Sequence, residues 1–383
     1  MSTVFLHIGT QKTGTTALQS FLRENDERLE KNGYSYPLMK LNLSSIYRDR
    51  NAHFLIYKSL LEDKAEKKRE EQEIWEKGFQ IIGKLAETSQ NIVLSDELVW
   101  HHGNHRKNFW ADLVEEFRKV NCEVKVIVYL RRQDLLVQSL WNQSIKGAPR
   151  IHKSFQECMK TDHFRYYPLD YYRQLMKIAE QVNKENMIVR IYEKDQYEGT
   201  DRSIYSDFLH NIGLELTDAY TNDDISVNLG ISGNYVEMKR LINGIPEYQE
   251  MSDFLRRPIS LACNYEIHEY QHARISMFTP EEQEAYINRF DESNARVARE
   301  FLQREDGRLF LEPVKVLPVW TFNQEEFYRD LLLYTAETFC QQEEKILALK
   351  EEVRAMKSDV KAMHNSLIFR IYRKIRKVIR HRD

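Results

Sequence analysis

Cysteine is scarce in this 383-residue chain, and its four copies (Cys122, Cys158, Cys263 and Cys340) lie far apart with no CxxC pair. That spacing argues against a zinc site or a disulfide framework. No apolar run approaches the roughly 18 residues needed to span a bilayer. The N-terminus, Met1-Ser-Thr-Val-Phe-Leu-His-Ile-Gly9, has no basic segment and only a short apolar stretch, which is not the pattern of a signal peptide. A soluble cytoplasmic protein is the resulting expectation. A basic excess is missing too: 56 Lys and Arg stand against 59 Asp and Glu, for a net charge of -3. Whole-protein binding to nucleic acid is not expected from that balance. Neither an internal repeat nor a low-complexity segment is found. What the chain does contain is core-forming material. Hydrophobic residues make up 42% and charged residues 30%, enough for two or three domains, or one large domain with an extension.

Four short apolar runs, Val4–Ile8, Asn91–Ser95, Val124–Leu130 and Met187–Tyr192, are each followed by polar residues and a helical pattern. Near-continuous apolar strands alternating with helices predict a parallel sheet covered on both faces. The expected fold class is α/β: a P-loop-like parallel sheet flanked by helices, with a C-terminal helical or coiled-coil extension. In such sheets ligands bind beyond the carboxyl ends of the strands. The residues just after Ile8, Ser95 and Leu130 are therefore the place for a site. Residues 44–87 read as helical, with a solvated face of both charge signs over Glu62–Glu73. From about residue 200 to 310 the pattern is helical with loops. Pro313 and Pro318 mark a boundary. The domains predicted are an α/β domain over 1–315, a helical or coiled-coil extension over 316–365 and a basic tail over 366–383.

The strongest local signal is His7-Ile-Gly-Thr-Gln-Lys-Thr-Gly-Thr-Thr-Ala-Leu-Gln-Ser-Phe-Leu22. Gly9 and Gly14 allow a tight turn, after which the amides of Lys12 to Thr16 can face an anion at a helix N-terminus. Thr13, Thr15 and Thr16 add hydroxyls, and Lys12 adds a cation. A Walker A loop places its Lys directly after the second Gly, whereas Lys12 precedes Gly14. The nearest match to a Walker B strand, Val93-Leu-Ser-Asp96, is weak. A P-loop kinase acting on a magnesium nucleotide is thus the less favoured reading of an anion-binding loop.

With its displaced lysine, Lys12-Thr-Gly-Thr-Thr16 resembles the 5′-phosphosulfate loop of sulfotransferases that use 3′-phosphoadenosine 5′-phosphosulfate (PAPS). That family also carries an Arg at the end of a central strand and a Ser eight residues later in the next helix, and Arg131 and Ser139 match both. Leu130-Arg-Arg-Gln-Asp134 resembles bacterial members. Val189–Glu193, Asp207–Leu214 and Val227–Ser232 are compatible, so the resemblance covers about residues 1–310. The late Arg-Lys-Gly element of cytosolic small-molecule sulfotransferases has no match here, which points to the carbohydrate-modifying branch. The resemblance implies transfer of a sulfuryl group from PAPS to a hydroxyl, on a glycan, without a metal. Gln11, Lys12, Thr13, Gly14, Thr15 and Thr16 would hold the 5′ end, with Lys12 also catalytic, and Arg131 and Ser139 would hold the 3′-phosphate. Glu97, just after the strand 91–95, is the expected general base. Its alternative reading is a carboxylate placed to favour a helix N-terminus. His53, His101 and His102 are further candidates at the substrate, since an unperturbed imidazole titrates near neutrality. A non-enzymatic alternative is a coiled-coil adaptor that kept a nucleotide fold, and intact Lys12, Arg131 and Ser139 speak against it.

In the C-terminal part, Ile346, Leu349, Val353, Met356, Val360, Met363 and Leu367 alternate spacings of three and four. This is a heptad seam over about three repeats. It predicts a homodimer through 346–367, or a lone helix packing back on its own domain. The stretch Ser366–Asp383 is a basic amphipathic pattern. It reads as a peripheral element for an anionic membrane surface at the inner face, or as a solvated tail.

Overall fold

The computed structural model describes residues 1–41, 50–103, 107–147, 150–221, 233–246, 275–365, 370–372 and 374–375. The chain forms two compact units, Met1–Gly230 with Ala273–Trp320, and Ile231–His272 with Thr321–Asp383. The second boundary falls close to the Pro313–Pro318 stretch. The segment from Ile231 groups with the C-terminal unit, whereas the sequence reading kept it in the α/β domain. Of the stretches compared with the sulfotransferases, Val227–Ser232 lies outside the described residues.

The first unit is built on β1 (Ser2–His7), β2 (Tyr34–Ser35), β3 (Asn91–Ser95), β4 (Cys122–Leu130) and β5 (Met187–Ile191). They form one sheet in the order β2-β3-β1-β4-β5, with every pairing parallel. The four apolar runs of the sequence are β1, β3, β4 and β5. The two-residue β2 is too short to leave a period-2 signal. Val126, Ile127, Val128, Tyr129 and Leu130 are all fully buried, as expected of a parallel strand covered on both faces. Alternation sends Phe5, Val93, Ile127 and Tyr129 to one face. There they meet Leu18, Phe21 and Leu22 of α1 (Thr15–Glu24) and nearby Phe208 and Leu209.

The described helices that matter further are α2 (Lys64–Ala86), α3 (Leu98–His102), α4 (Phe109–Lys119), α5 (Gln133–Lys146), α6 (Tyr171–Val182) and α7 (Ile204–Asn211). Phe208 and Leu209 belong to α7. Helices α4 and α6 pack on β4, burying Leu113 and Phe117, and Leu175 and Ile178. The continuous helix expected over 44–87 is corrected. Helix α2 begins at Lys64, because Asp63 in an extended conformation accepts hydrogen bonds from the amides of Ala65 and Glu66. Asp is a strong N-cap, and a cap of this kind sets where a helix starts. Before it, His53–Ile56 form a single tight turn, and Asn51 is tied to β3: its amide donates to Val93 and its carbonyl accepts from Ser95. That segment serves the strand end, not a helix. Residues 42–49 lie outside the described part.

In the second unit α8 (Gly233–Asn243) and a 42-residue helix, α9 (Gln324–Asn365), pack together through the first turns of α9. Asn234 Nδ2 donates to Asp330 Oδ2 at 2.7 Å, and Phe327 is buried. The C-terminal extension is thus helical as expected. No described helix is long and apolar enough to cross a membrane. Most of the basic tail, 366–369, 373 and 376–383, lies outside the described residues.

Candidate functional site

Strand order decides what meets what. Neighbouring parallel strands end on the same edge, so the residues after β3, β1 and β4 are brought side by side. His7 pairs with Ser95 on one side and with Ile127 on the other. Beyond His7 the chain stays laddered to β4: the Thr10 amide donates to the Tyr129 carbonyl at 2.8 Å, and the Tyr129 amide to the Gly9 carbonyl at 2.6 Å. The loop then turns into α1 through Gly14, whose φ of 73° is left-handed and suits glycine. Gly9 has φ +101°, and a Cβ there would come within 2.9 Å of the Glu97 Cβ. The glycine at 9 is therefore what lets the carboxylate-bearing turn after β3 lie against the loop.

Helix α1 begins with no acidic residue in its first turn. Its N-terminal amides lack intrahelical partners, and the helix dipole is positive there. Thr13 is buried, and its hydroxyl donates to the Thr10 carbonyl, so that proton braces the loop. Thr15 is buried and Thr16 exposed, while the buried Thr10 Oγ1 has no partner among the described residues.

Arg131, the first residue after β4, reaches this loop: its Nη1 donates to the Lys12 carbonyl at 2.8 Å. The guanidinium also stands 5.8 Å from the centre of the Tyr192 ring, and Tyr192 in turn flanks Gly14. Neither Lys12 nor Arg131 has a carboxylate within 4.0 Å among the described residues. Burial pushes the Lys12 ammonium below its ordinary value, and the nearby Lys146 and Arg131 charges push it further, against the pull of Glu97. Burial likewise lowers Arg131. Lys12 and Arg131, poorly solvated and without a carboxylate within 4.0 Å among the described residues, carry an electrostatic cost that a bound anion removes.

The adjacent Arg132 is different. It pairs bidentately with Asp134 at 2.8 and 3.1 Å, and both are buried. Arg190 is also committed, to Asp207 and Glu198. Of this set, Arg131 is the arginine left with its charge unpaired.

Ser139, on α5, is half-buried and makes no side-chain hydrogen bond to a described residue. Gln143 and Lys146 follow it at spacings of four and three, on the same helical face. Lys12 Nζ reaches Gln143 Oε1 at 3.4 Å, so this face is turned to the loop. Sequence reasoning passed over Gln143 and Lys146. The helical spacing from Ser139 is the signal that finds them.

Glu97 is buried, with Arg50 Nη2 at 2.8 Å from Oε1 and Gln19 Nε2 donating to Oε2 at 3.2 Å. Burial and then Asp96 raise its carboxyl above the ordinary value, while Arg50 and Gln19 act in the other direction. Glu97 does stand at the N-terminus of α3, as its alternative reading has it, but its side chain makes no cap bond; Asp96 Oδ1 accepts from the Leu98 amide at 2.8 Å. Gln19 also donates to Ser95 Oγ at 3.1 Å, and Ser95 Oγ is 2.8 Å from His7 Nδ1. Arg50 and Gln19, both missed in the sequence, therefore hold the carboxylate from two sides.

The histidines gather at the same edge. His53 Nδ1 lies 2.8 Å from Asp96 Oδ2 in a buried pair. His101 stacks on Tyr167 with ring centres 4.8 Å apart, and His102 packs edge-on to His101. A shallow pocket beside the loop, of about 250 Å³ with open solvent included, is lined by Thr10, Gln11, Trp100, His101, Leu136 and Tyr167 among others. His101 and Gln11 thus share a wall, while His53 stands behind Asp96.

No family model matches the chain, and no solved structure does. It is similar to an uncharacterized protein of Archaeoglobus fulgidus, 29% identical over 191 residues, which are 49% of this chain and 48% of that protein. The chain spans about half the length of this curated relative.

Proposed function

We propose that the first unit is a sulfotransferase that moves a sulfuryl group from PAPS to a hydroxyl of a carbohydrate. The observation that carries this reading is the convergence of Lys12 and Arg131 from two neighbouring strand ends, both without a carboxylate partner among the described residues, at the N-terminus of α1. A ligand with phosphate groups at two ends of a nucleoside suits two cations from two strands. The 3′-phosphate would take Arg131 and the face of α5 that bears Ser139, since a guanidinium binds phosphate oxygens in a fork. The loop amides from Lys12 to Thr16 and the Lys12 ammonium would take the phosphosulfate end.

In the transfer step the acceptor oxygen forms a bond to sulfur as the bond from sulfur to the bridging phosphate oxygen breaks. Lys12 and the helix N-terminus stabilise the charge that builds on the departing phosphate. Glu97 accepts the acceptor's proton. Its raised pKa brings it closer to the operating range of a base, and Arg50 keeps it ionised. Aromatic side chains at Trp100 and Tyr167 offer apolar faces to a sugar ring beside the loop.

The test is thermal stabilisation of the purified protein by 3′-phosphoadenosine 5′-phosphate without metal, against ATP with Mg²⁺. A ligand at 100 times its dissociation constant adds about 2.7 kcal/mol. Stabilisation by the 3′-phosphorylated nucleotide is expected, and a preference for magnesium ATP overturns the proposal.

A further inference from the structure

The long helix of the second unit exposes an apolar stripe. Ile346, Leu349, Val353, Met356, Val360 and Met363 are between 43% and 60% exposed, and the same register continues back through Phe339 (68%) and Leu332 (70%). A contiguous apolar patch marks an interaction surface. Over Ile346–Met363, at about 1.5 Å per residue, it runs for roughly 27 Å, since Thr335 and Gln342 interrupt it in the two earlier heptads.

We infer that α9 docks a second copy of this chain as a parallel, in-register coiled coil. Two independent features of the stripe select that partner. The first is side-chain shape. In heptad terms Ile346, Val353 and Val360 occupy position a and Leu349, Met356 and Met363 position d, while the two earlier heptads carry Leu332 and Phe339 at a and Thr335 and Gln342 at d. β-branched residues at a, with unbranched or γ-branched residues at d, favour two parallel strands.

The second feature is charge. Lys350 and Lys357 fall at the flanking e positions, and Lys345, Glu352 and Asp359 at the flanking g positions. All five are exposed. In a parallel pair each g residue meets the e residue of the following heptad on its partner. Glu352 then meets Lys357 of the other copy, twice by symmetry. An antiparallel overlay of the same stretch sets e against e and g against g. In full overlap that places Lys350 opposite Lys357 and Glu352 opposite Asp359, and both contacts repel; slid by one heptad, Glu343 meets Lys357 and Lys345 meets Asp359, but Lys350 and Glu352 each face their own counterpart. Parallel pairing carries one fault, Lys345 against Lys350, at the start of the seam. Parallel alignment also brings the Arg370–Tyr372 segments of both copies to the same end.

This inference is independent of the chemistry proposed for the first unit. Sedimentation equilibrium of the full chain should give twice the 45.9 kDa mass of one chain. Val353→Asp with Val360→Asp should return it to one chain; both sites are exposed in the monomer, so folding is preserved. Glu352→Lys should weaken the dimer roughly tenfold, and adding Lys357→Glu should restore it. Direction is read separately with Leu349→Cys, a d position away from the middle of the seam, in a Cys340→Ser background. A parallel pair places the two introduced thiols in disulfide reach across the seam, so mild oxidation should join them. A monomer at every concentration, a dimer indifferent to the two Asp substitutions, or a failure of the Leu349→Cys pair to join overturns the proposal. Nucleotide binding by the first unit, followed in the same samples, should be unchanged throughout, which keeps this outcome separate from the fate of the sulfotransferase reading.

Discussion

Replacing Arg131 by Ala is the most informative perturbation, because the structure assigns its guanidinium no acidic partner and one tie to the loop. The side chain donates to the Lys12 carbonyl at 2.8 Å. If it also holds a 3′-phosphate, Arg131→Ala should lose affinity for 3′-phosphoadenosine 5′-phosphate but much less for adenosine 5′-phosphate, which lacks that group. A hydrogen bond to a charged group is worth about 1.5–3 kcal/mol, or roughly 10- to 150-fold in affinity. The loop tie affects both nucleotides alike and cancels in their ratio, so the ratio isolates the contact with the 3′-phosphate. Calorimetric titration of both nucleotides against both proteins supplies the four numbers. Arg132→Ala is the control. It breaks a buried pair with Asp134 at 2.8 and 3.1 Å, and should cost about 3–5 kcal/mol of stability while leaving the ratio intact. A ratio that survives in Arg131→Ala, or collapses in Arg132→Ala, refutes the assignment.

Three further outcomes are expected. Glu97→Gln should keep nucleotide affinity yet lower transfer by about 10²–10⁴-fold. In the native protein the rate should fall as pH drops through a carboxyl value above the ordinary 4.5, and an acid limb that persists in the variant reassigns the base. His7 is fully buried, and burial alone lowers its pKa from 6.5 to about 3. Between those values the unfolded chain binds a proton that the folded one refuses, so stability should fall as pH drops from 6.5 toward 3, by about 5 kcal/mol at most. Urea unfolding of the native protein and of His7→Asn measures this, and equal pH slopes would falsify it. Gly9→Ala should cost about 1–3 kcal/mol and impair nucleotide binding, since φ is +101° and the new methyl meets Glu97 at 2.9 Å. Unaltered melting and binding would show that the loop has another way to accommodate a side chain.

Local pattern was enough for the sheet. Four of five strands announce themselves because a parallel strand buried on both faces must be apolar at nearly every position, as Val126–Leu130 is. The turn between β1 and α1 was legible for a similar reason: Gly9 and Gly14 stand where the backbone takes positive φ. The helix expected over 44–87 was misjudged because composition does not reveal that Asn51 is bound to β3 or that Asp63 caps a later start.

What the sequence by itself determined was four of the five strands, the loop between β1 and α1, and the heptad stripe, all of them set by periodicity and by glycine over a few neighbouring residues. Only the tertiary structure decided that Arg132 and not Arg131 is paired with Asp134, and that the first amide of the following helix is bonded by the Asp96 carboxylate rather than that of Glu97. The same holds for the placement of Gln19, Arg50 and Gln143 around the loop. Those choices depend on strand order and on partners many residues away, and the order β3-β1-β4 is a property of the closed sheet that no local stretch of chain contains.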